Sequence, residues 1–272
     1  MGIYGLTQAL LQLPLGIASD KFGRKKTIYV GLIVFAAGSF LAAAANSLPM
    51  LVAARAIQGA GAVSAAVTAL LADLTRDGVR TRAMAMIGLS IGLTFSVSLV
   101  VAPMIADIIG VPGLFMLTGI LTVISIGVVA WMTPDPEVSK LHEDTQAQPS
   151  RMGEVLRDRQ LLNLDFGIFA LHAAQMALFT ALPFAMTQLG LEKIQHWKVY
   201  LPSTIAGLVI MIPLIIIGET RNKLKQVFIL GIACIAAAQI GLLFGMHSIW
   251  LITAYLVVYF IGFNVLEASL PS

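Results

Sequence analysis

Residues Gly16–Lys26 read Gly-Ile-Ala-Ser-Asp-Lys-Phe-Gly-Arg-Lys-Lys and set one acid, Asp20, among the bases Lys21, Arg24, Lys25 and Lys26. Long apolar runs flank this stretch on both sides, so it is a tight hairpin between two membrane-crossing helices. Bases gathered in a short inter-helix loop mark its cytoplasmic face. Gly23 supplies the backbone freedom a turn demands, and Gly16 lets a neighbouring helix come close. A topology signal needs only the bases. The acid at a set spacing between two glycines asks for a further reason, and one helical turn separates Asp20 from Arg24.

The composition agrees with a membrane chain. Its 272 residues are 58% hydrophobic and 11% charged, too apolar for a water-soluble domain of this size. The expected class is all-α integral membrane. The net charge of +3 lies in short loops instead of along one stripe, so it is no nucleic-acid footprint. The single cysteine, Cys234, falls inside an apolar run and has no internal disulfide partner. No cleavable signal peptide is expected. No phosphate-cradling loop ending Gly-Lys-Ser/Thr occurs, and no Cys/His cluster has metal spacing. Neither an enzyme, nor a cofactor, nor a metal is therefore expected.

Nine apolar segments are long enough to span a bilayer: 2–19, 27–45, 49–72, 83–109, 112–132, 165–188, 199–218, 226–245 and 249–271. Ser47 stands where it can cap the third. If the crossings alternate, fourteen bases share the side of the Gly16 hairpin: Lys21, Arg24, Lys25, Lys26, Arg76, Arg80, Arg82, Lys140, Arg151, Arg157, Arg159, Arg221, Lys223 and Lys225. The other side holds two, Lys193 and Lys198, while Arg55 lies within a helix. That asymmetry makes the hairpin side cytoplasmic. The longest polar stretch, Thr133–Asn163, holds Pro134, Pro136 and Pro149. It divides a first bundle (1–132, five helices) from a second (165–272, four helices) through a linker over 133–164. Within that linker Met152, Val155, Leu156 and Arg159 recur at helical spacing, which predicts an amphipathic helix on the membrane surface.

The pattern Gly16-x-x-x-Asp20-Lys21-x-Gly23-Arg24-Lys25 resembles the signature between transmembrane helices 2 and 3 of the major facilitator superfamily. Arg55-x-x-Gln58-Gly59-x-Gly61 resembles its helix 4 motif, and Gly218–Lys225 resembles a degraded repeat of the hairpin in the second half. Ala72-Asp73-Leu74-Thr75, His196–Leu201, Lys225–Phe228 and Phe263–Ala268 are similar to the bacterial inner-membrane YajR-like group of the drug:proton antiporter branch. The resemblance spans nearly the whole chain. It implies an incomplete major facilitator fold, helices 2–10 of twelve, with helix 1 missing from the first bundle and helices 11 and 12 from the second. It also implies a secondary active transporter whose partners are a small-molecule substrate, protons and the lipid bilayer. The expected location is the bacterial inner membrane. One departure bears on antiport: the family's Gly-Pro-x-x-Gly-Gly run is represented by Ala102-Pro103 followed by Ala106-Asp107.

The resemblance implies a cytoplasmic gate built from Gly16, Asp20, Gly23, Arg24, Lys25 and Asp73, in which protonation of an acid weakens a latch between the halves. The alternative for the same charges is a set of exposed ion pairs worth about 1 kcal/mol each at most. Arg55, roughly 9 Å deep at helical rise, should face the bundle interior. Its expected partner is Asp107, and the resemblance gives Arg55, Gln58 and Gly59 a part in proton transfer. Small residues at Gly88-x-x-x-Gly92 predict a close helix contact. Candidate cavity residues are Gln8, Gln12, Pro103, His172, Gln175, Asn264 and Glu267; for most of the polar ones the alternative is an interhelical hydrogen-bond partner. The rival reading is a non-transporting sensor or scaffold, or an inactive truncated transporter.

Overall fold

The computed structural model describes residues 2–61, 63–134 and 157–269. Its regular elements are α1 (Gly2–Phe22), α2 (Arg24–Ala43), α3 (Leu48–Ala60), α4 (Ser64–Leu74), α5 (Asp77–Trp131), α6 (Arg159–Gln188), a 3-10 turn (Lys193–Gln195), α7 (Trp197–Thr220), α8 (Leu224–Gly245) and α9 (Ile249–Ser269). Among the described residues there is no strand, and seven stretches are long and apolar enough to cross a membrane. The expected number was nine. Gln8 and Gln12 lower the apolar average of α1, and Ser90–Trp131 runs as a single stretch of 42 residues. Its interruption is Gly110, whose φ of 72° and ψ of 173° leave the helical region.

Three element boundaries differ from expectation for local reasons. The charged hairpin is not a loop: helix runs to Phe22 and resumes at Arg24, leaving Gly23 alone as the break. Its φ of 101° is the left-handed region in which a side chain would be strained. Asp20 and Arg24 therefore project from helix ends. The expected third segment is two helices, α3 and α4, because the chain leaves helical geometry at Gly61 and at Val63, both of which press on Gly31 of α2. Ser47 caps α3 by accepting a hydrogen bond from the Met50 amide. Lastly, α6 begins earlier than expected, with Asp158 accepting from the amides of Gln160 and Leu161. Met152, Val155 and Leu156 of the expected surface helix lie outside the described residues, as do Lys140, Arg151, Pro136 and Pro149.

The chain divides into two compact units, Met1–Leu93 with Ile105–Pro149 and Thr94–Met104 with Ser150–Ser272. In the first, glycines let three helix backbones approach. A Cβ on Gly38 of α2 would stand 2.5 Å from the Gln58 backbone nitrogen of α3, and one on Gly61 would stand 2.5 Å from the Gly31 carbonyl oxygen. Gly59 lies likewise against Tyr4 and Thr7 of α1. Gly92, expected at such a contact, has nothing within 4 Å of its Cβ position. In the second unit, Leu178, Leu182 and Met186 of α6 pack with Tyr200 of α7, Leu242 of α8 and Leu256, Tyr259 and Phe260 of α9. Gly262 of α9 meets the Gly231 carbonyl of α8, where a Cβ would stand 2.6 Å away.

These contacts separate two glycines of equal size. Gly38→Ala should destabilise the first unit by about 1–3 kcal/mol through overpacking. Gly5→Ala, with nothing within 4 Å, should stabilise it by up to about 1 kcal/mol through helix propensity. Thermal unfolding of the purified protein in detergent measures both. Equal shifts would show that the close approach of α2 and α3 is not made.

Candidate functional site

The end of the first unit that carries the hairpin gathers three side chains around one guanidinium. Arg24, first residue of α2, donates from Nε to Asp73 Oδ2 of α4 at 3.0 Å and from Nη1 to Ser19 Oγ of α1 at 2.8 Å. Nη1 also pairs with Asp20 Oδ1. The Arg24, Asp20 and Asp73 side chains are 7%, 19% and 6% exposed. This arrangement differs in kind from exposed pairs. A planar guanidinium offers forked donors, so it satisfies two carboxylates and a hydroxyl together, which an ammonium on a single stem cannot do. Ser19 in turn donates to the Gly16 carbonyl at 2.8 Å. Lys25 points the other way and donates to the Thr133 carbonyl at 2.9 Å, beside the last turn of α5, where a cation complements the helix dipole. Gly16 has no neighbour within 4 Å of its Cβ position.

A second polar chain lies deeper. Arg55 of α3 donates to Gln58 Oε1, Gln58 Nε2 donates to Ser39 Oγ of α2 at 2.7 Å, and Ser39 donates to the Phe35 carbonyl at 2.8 Å. Gln58 and Ser39 are 2% and 0% exposed. The guanidinium of Arg55 is also held by aromatic faces, 4.4 Å from the Tyr4 ring centroid and 5.7 Å from that of Phe115. It makes no ion pair with Asp107 among the described residues, and Asp107 is exposed. The expected pairing is corrected accordingly: similar depth along two helices did not bring the side chains to one azimuth. Tyr4 also borders an open cavity of about 620 Å³, lined further by Gln8, Phe35, Ser64, Thr68, Met86 and Ser90. Gln12, one turn on from Gln8, is exposed.

In the second unit the polar candidates separate. His172 Nε2 and Glu267 Oε2 are 3.7 Å apart. Asn264 has a buried Nδ2 without a hydrogen-bond partner among the described residues. Gln175 and Pro103 are half-buried.

Comparison with known proteins identifies the frame in which these residues stand. The Major Facilitator Superfamily model matches residues 1–272. The chain belongs to the Major Facilitator Superfamily. It is a multi-pass membrane protein of a transporter family, not a member of an enzyme family. It is 41% identical over 272 residues to the Inner membrane transport protein YajR of Escherichia coli (strain K12), covering 100% of this chain and 60% of that protein. It is 30% identical over 273 residues to the Uncharacterized transporter BU466 of Buchnera aphidicola, covering 70% of that protein. The chain thus spans about three fifths of the length of the first of these relatives. Among solved structures, the bacterial homolog of the human lysosomal transporter Spinster, in an inward-facing and occupied conformation, superposes with a TM-score of 0.73. Its identity is 13%, with 98% of this chain and 63% of that one covered, a likeness of fold alone.

Within this superfamily chain, sequence reasoning named Asp20, Arg24, Asp73, Arg55 and Gln58 but missed their uncharged partners. Ser19, 1% exposed, lay inside the quoted motif, where a small polar residue one position before the acid was the available signal. Ser39 and Tyr4 carried no signal of their own. Both lie on other helices, and contact between helices is not written in periodicity.

Arg24→Ala should cost about 3–5 kcal/mol, because it strands the carboxylate of Asp73 without a counter-charge. The double variant Arg24→Ala/Asp73→Asn should be milder than the sum of its parts. Thermal unfolding of all three proteins measures the coupling, and strict additivity would exclude a joint role. Gln58→Leu should likewise lower the unfolding temperature, since it removes the acceptor of Arg55 and the donor to Ser39 together.

Proposed function

We propose that the protein is a secondary active transporter that moves a small molecule outward across the bacterial inner membrane by alternating access, in exchange for protons. The observation that carries this reading is Arg24, which holds Asp20 of α1 and Asp73 of α4 in one buried cluster. Protonating either carboxylate removes the charge that the guanidinium neutralises, so the cluster is strong in one protonation state and weak in the other. A latch of that kind at a cytoplasmic helix end couples proton binding to opening. Arg55 and Gln58 lie on the neighbouring polar chain, with Gly59 next to them against α1; in this reading the three have a part in proton transfer, and Gln8 contributes an amide to the cavity wall.

The reading includes nine spans, corresponding to helices 2–10 of the family's twelve, five in the first bundle and four in the second. At about 1.5 Å per residue the 42 residues of Ser90–Trp131 would be roughly 63 Å long, twice a hydrocarbon core of about 30 Å. Two passes joined at Gly110 account for that length. In this reading they and α1 make nine crossings, and the excess of bases on the side of the Gly23 break supports a cytoplasmic position for it.

Two measurements test these statements. In a Cys234→Ser background, Ser47→Cys, Ile109→Cys and Ser248→Cys should react with a membrane-impermeant maleimide from outside, whereas Lys26→Cys and Lys223→Cys should react only after permeabilisation. An inverted result at Ile109 would remove the paired passes of α5. For function, the protein reconstituted in vesicles with an imposed proton gradient should accumulate a cationic or neutral lipophilic compound. Asp20→Asn should abolish the gradient dependence while the protein remains folded. Unchanged gradient-driven movement in Asp20→Asn would refute the gate.

A further inference from the structure

The cavity of the first unit has a wall whose polar groups are sorted by what they can still donate or accept. Its volume of about 620 Å³ lies within the roughly 300–1,000 Å³ that takes a drug-sized molecule. The wall is drawn from α1, α2, α4 and α5. Phe35 and Leu71 are part of its apolar surface, while Tyr4, Gln8, Thr68 and Ser90 bring polar atoms. Among the described residues, no carboxylate, ammonium, guanidinium or imidazole lines it.

Two of the hydroxyls are already committed as donors. Thr68 Oγ1 donates to the Ser64 carbonyl at 2.9 Å, and Ser90 Oγ donates to the Met86 carbonyl at 2.8 Å. Each has spent its one hydrogen within its own helix, so α4 and α5 offer a guest only lone pairs there. The first helix offers the opposite. The Gln8 amide and the Tyr4 hydroxyl have no hydrogen-bond partner among the described residues. Gln8 therefore brings two N–H donors and a carbonyl acceptor, and Tyr4 an O–H donor.

Charge then decides what kind of guest fits. Arg55 is not part of the wall, but its guanidinium stands 4.4 Å from the ring centroid of Tyr4, which is. A cation in the cavity would meet a fixed positive charge beside the wall and no carboxylate in it. An anion would find the guanidinium occupied by the rings of Tyr4 and Phe115 and by Gln58, and so would form no direct pair from the wall. Either sign gives up hydration without an ionic partner in return, whereas a neutral polar group loses less and is met by the hydrogen-bonding groups present.

We propose that this cavity binds a neutral molecule of the amide class: an apolar body against Phe35 and Leu71, an N–H toward Thr68 or Ser90, and a carbonyl oxygen toward Gln8 or Tyr4. As a substrate site it rests on the transporter reading above, and it narrows the cargo to neutral compounds. The test measures binding without a gradient. Tritiated naphthanilide, a neutral aromatic amide, is bound to the purified protein in detergent and followed by scintillation proximity, with competitors of the same skeleton that carry a carboxylate or a trimethylammonium group on the phenyl ring. The neutral amide should bind at least about tenfold more tightly than either charged form. Gln8→Leu and Thr68→Val, each removing one hydrogen-bonding group, should weaken it by about tenfold. Ser90→Trp, which fills the cavity, should abolish saturable binding in a protein whose unfolding temperature is unchanged. No saturable binding to the unaltered protein, equal binding of the charged forms, or unchanged binding in Thr68→Val and Ser90→Trp would overturn the site. Gradient-driven movement of another compound without anilide binding would overturn the site and leave the transporter reading standing. Selective anilide binding with no gradient-driven movement of the amide would overturn the exchange reading and leave the site in place.

Discussion

A guanidinium buried at the end of an apolar helix has to be neutralised where it stands, and in this protein much of the first unit is arranged so that Arg24 can be. Its side chain is 7% exposed, and the two carboxylates that answer it come from different helices. Asp20 arrives because α1 and α2 are separated by a single residue, Gly23, in a backbone conformation suited to glycine. Asp73 arrives on α4, which packs through Ala66 and Leu70 against Ile28 of α2. Charge neutralisation at the helix ends thus goes with apolar packing in the interior.

The first unit contains a second arginine treated differently. Arg55 lies further along its helix, has no ion pair among the described residues, and is held by two aromatic faces and an amide. Aromatic quadrupoles attract a cation without bringing in a second buried charge, and they are less sensitive to protonation than a carboxylate. Arg24 is the arginine that the proposed latch uses, while Arg55 stands over Tyr4, which borders the cavity of the first unit. In the second unit an apolar core is built first, and the His172–Glu267 pair sits beside its Leu171–Leu266 contact. Its polarity stands at the margin of the core.

Helical class, membrane habit and family were legible because each depends on neighbours along the chain. Apolar runs near the thickness of a bilayer can satisfy their backbone groups only as helices, and the spacing of Gly16, Asp20, Gly23 and Arg24 is local. The positions of Asp20 and Arg24, one turn apart, already implied that they could meet. Where the reading erred, it lacked azimuth. Arg55 and Asp107 were matched by depth alone, and Gly92 was given a close contact on spacing alone. In the folded unit Arg55 turns toward Tyr4 and Gly92 faces open space.

The sequence by itself determined that this chain is an all-helical membrane protein with a charged break between its first two helices, because helix formation and bilayer insertion are governed by residues within a few turns. Only the tertiary structure decided that Arg24 reaches Asp73 across 49 positions, that Gln58 reaches Ser39 across 19, and that His172 stands opposite Glu267. Those meetings depend on how far each helix is rotated about its own axis. That rotation is set by which faces are small enough to let two backbones approach, a property of pairs of helices that neither one carries alone.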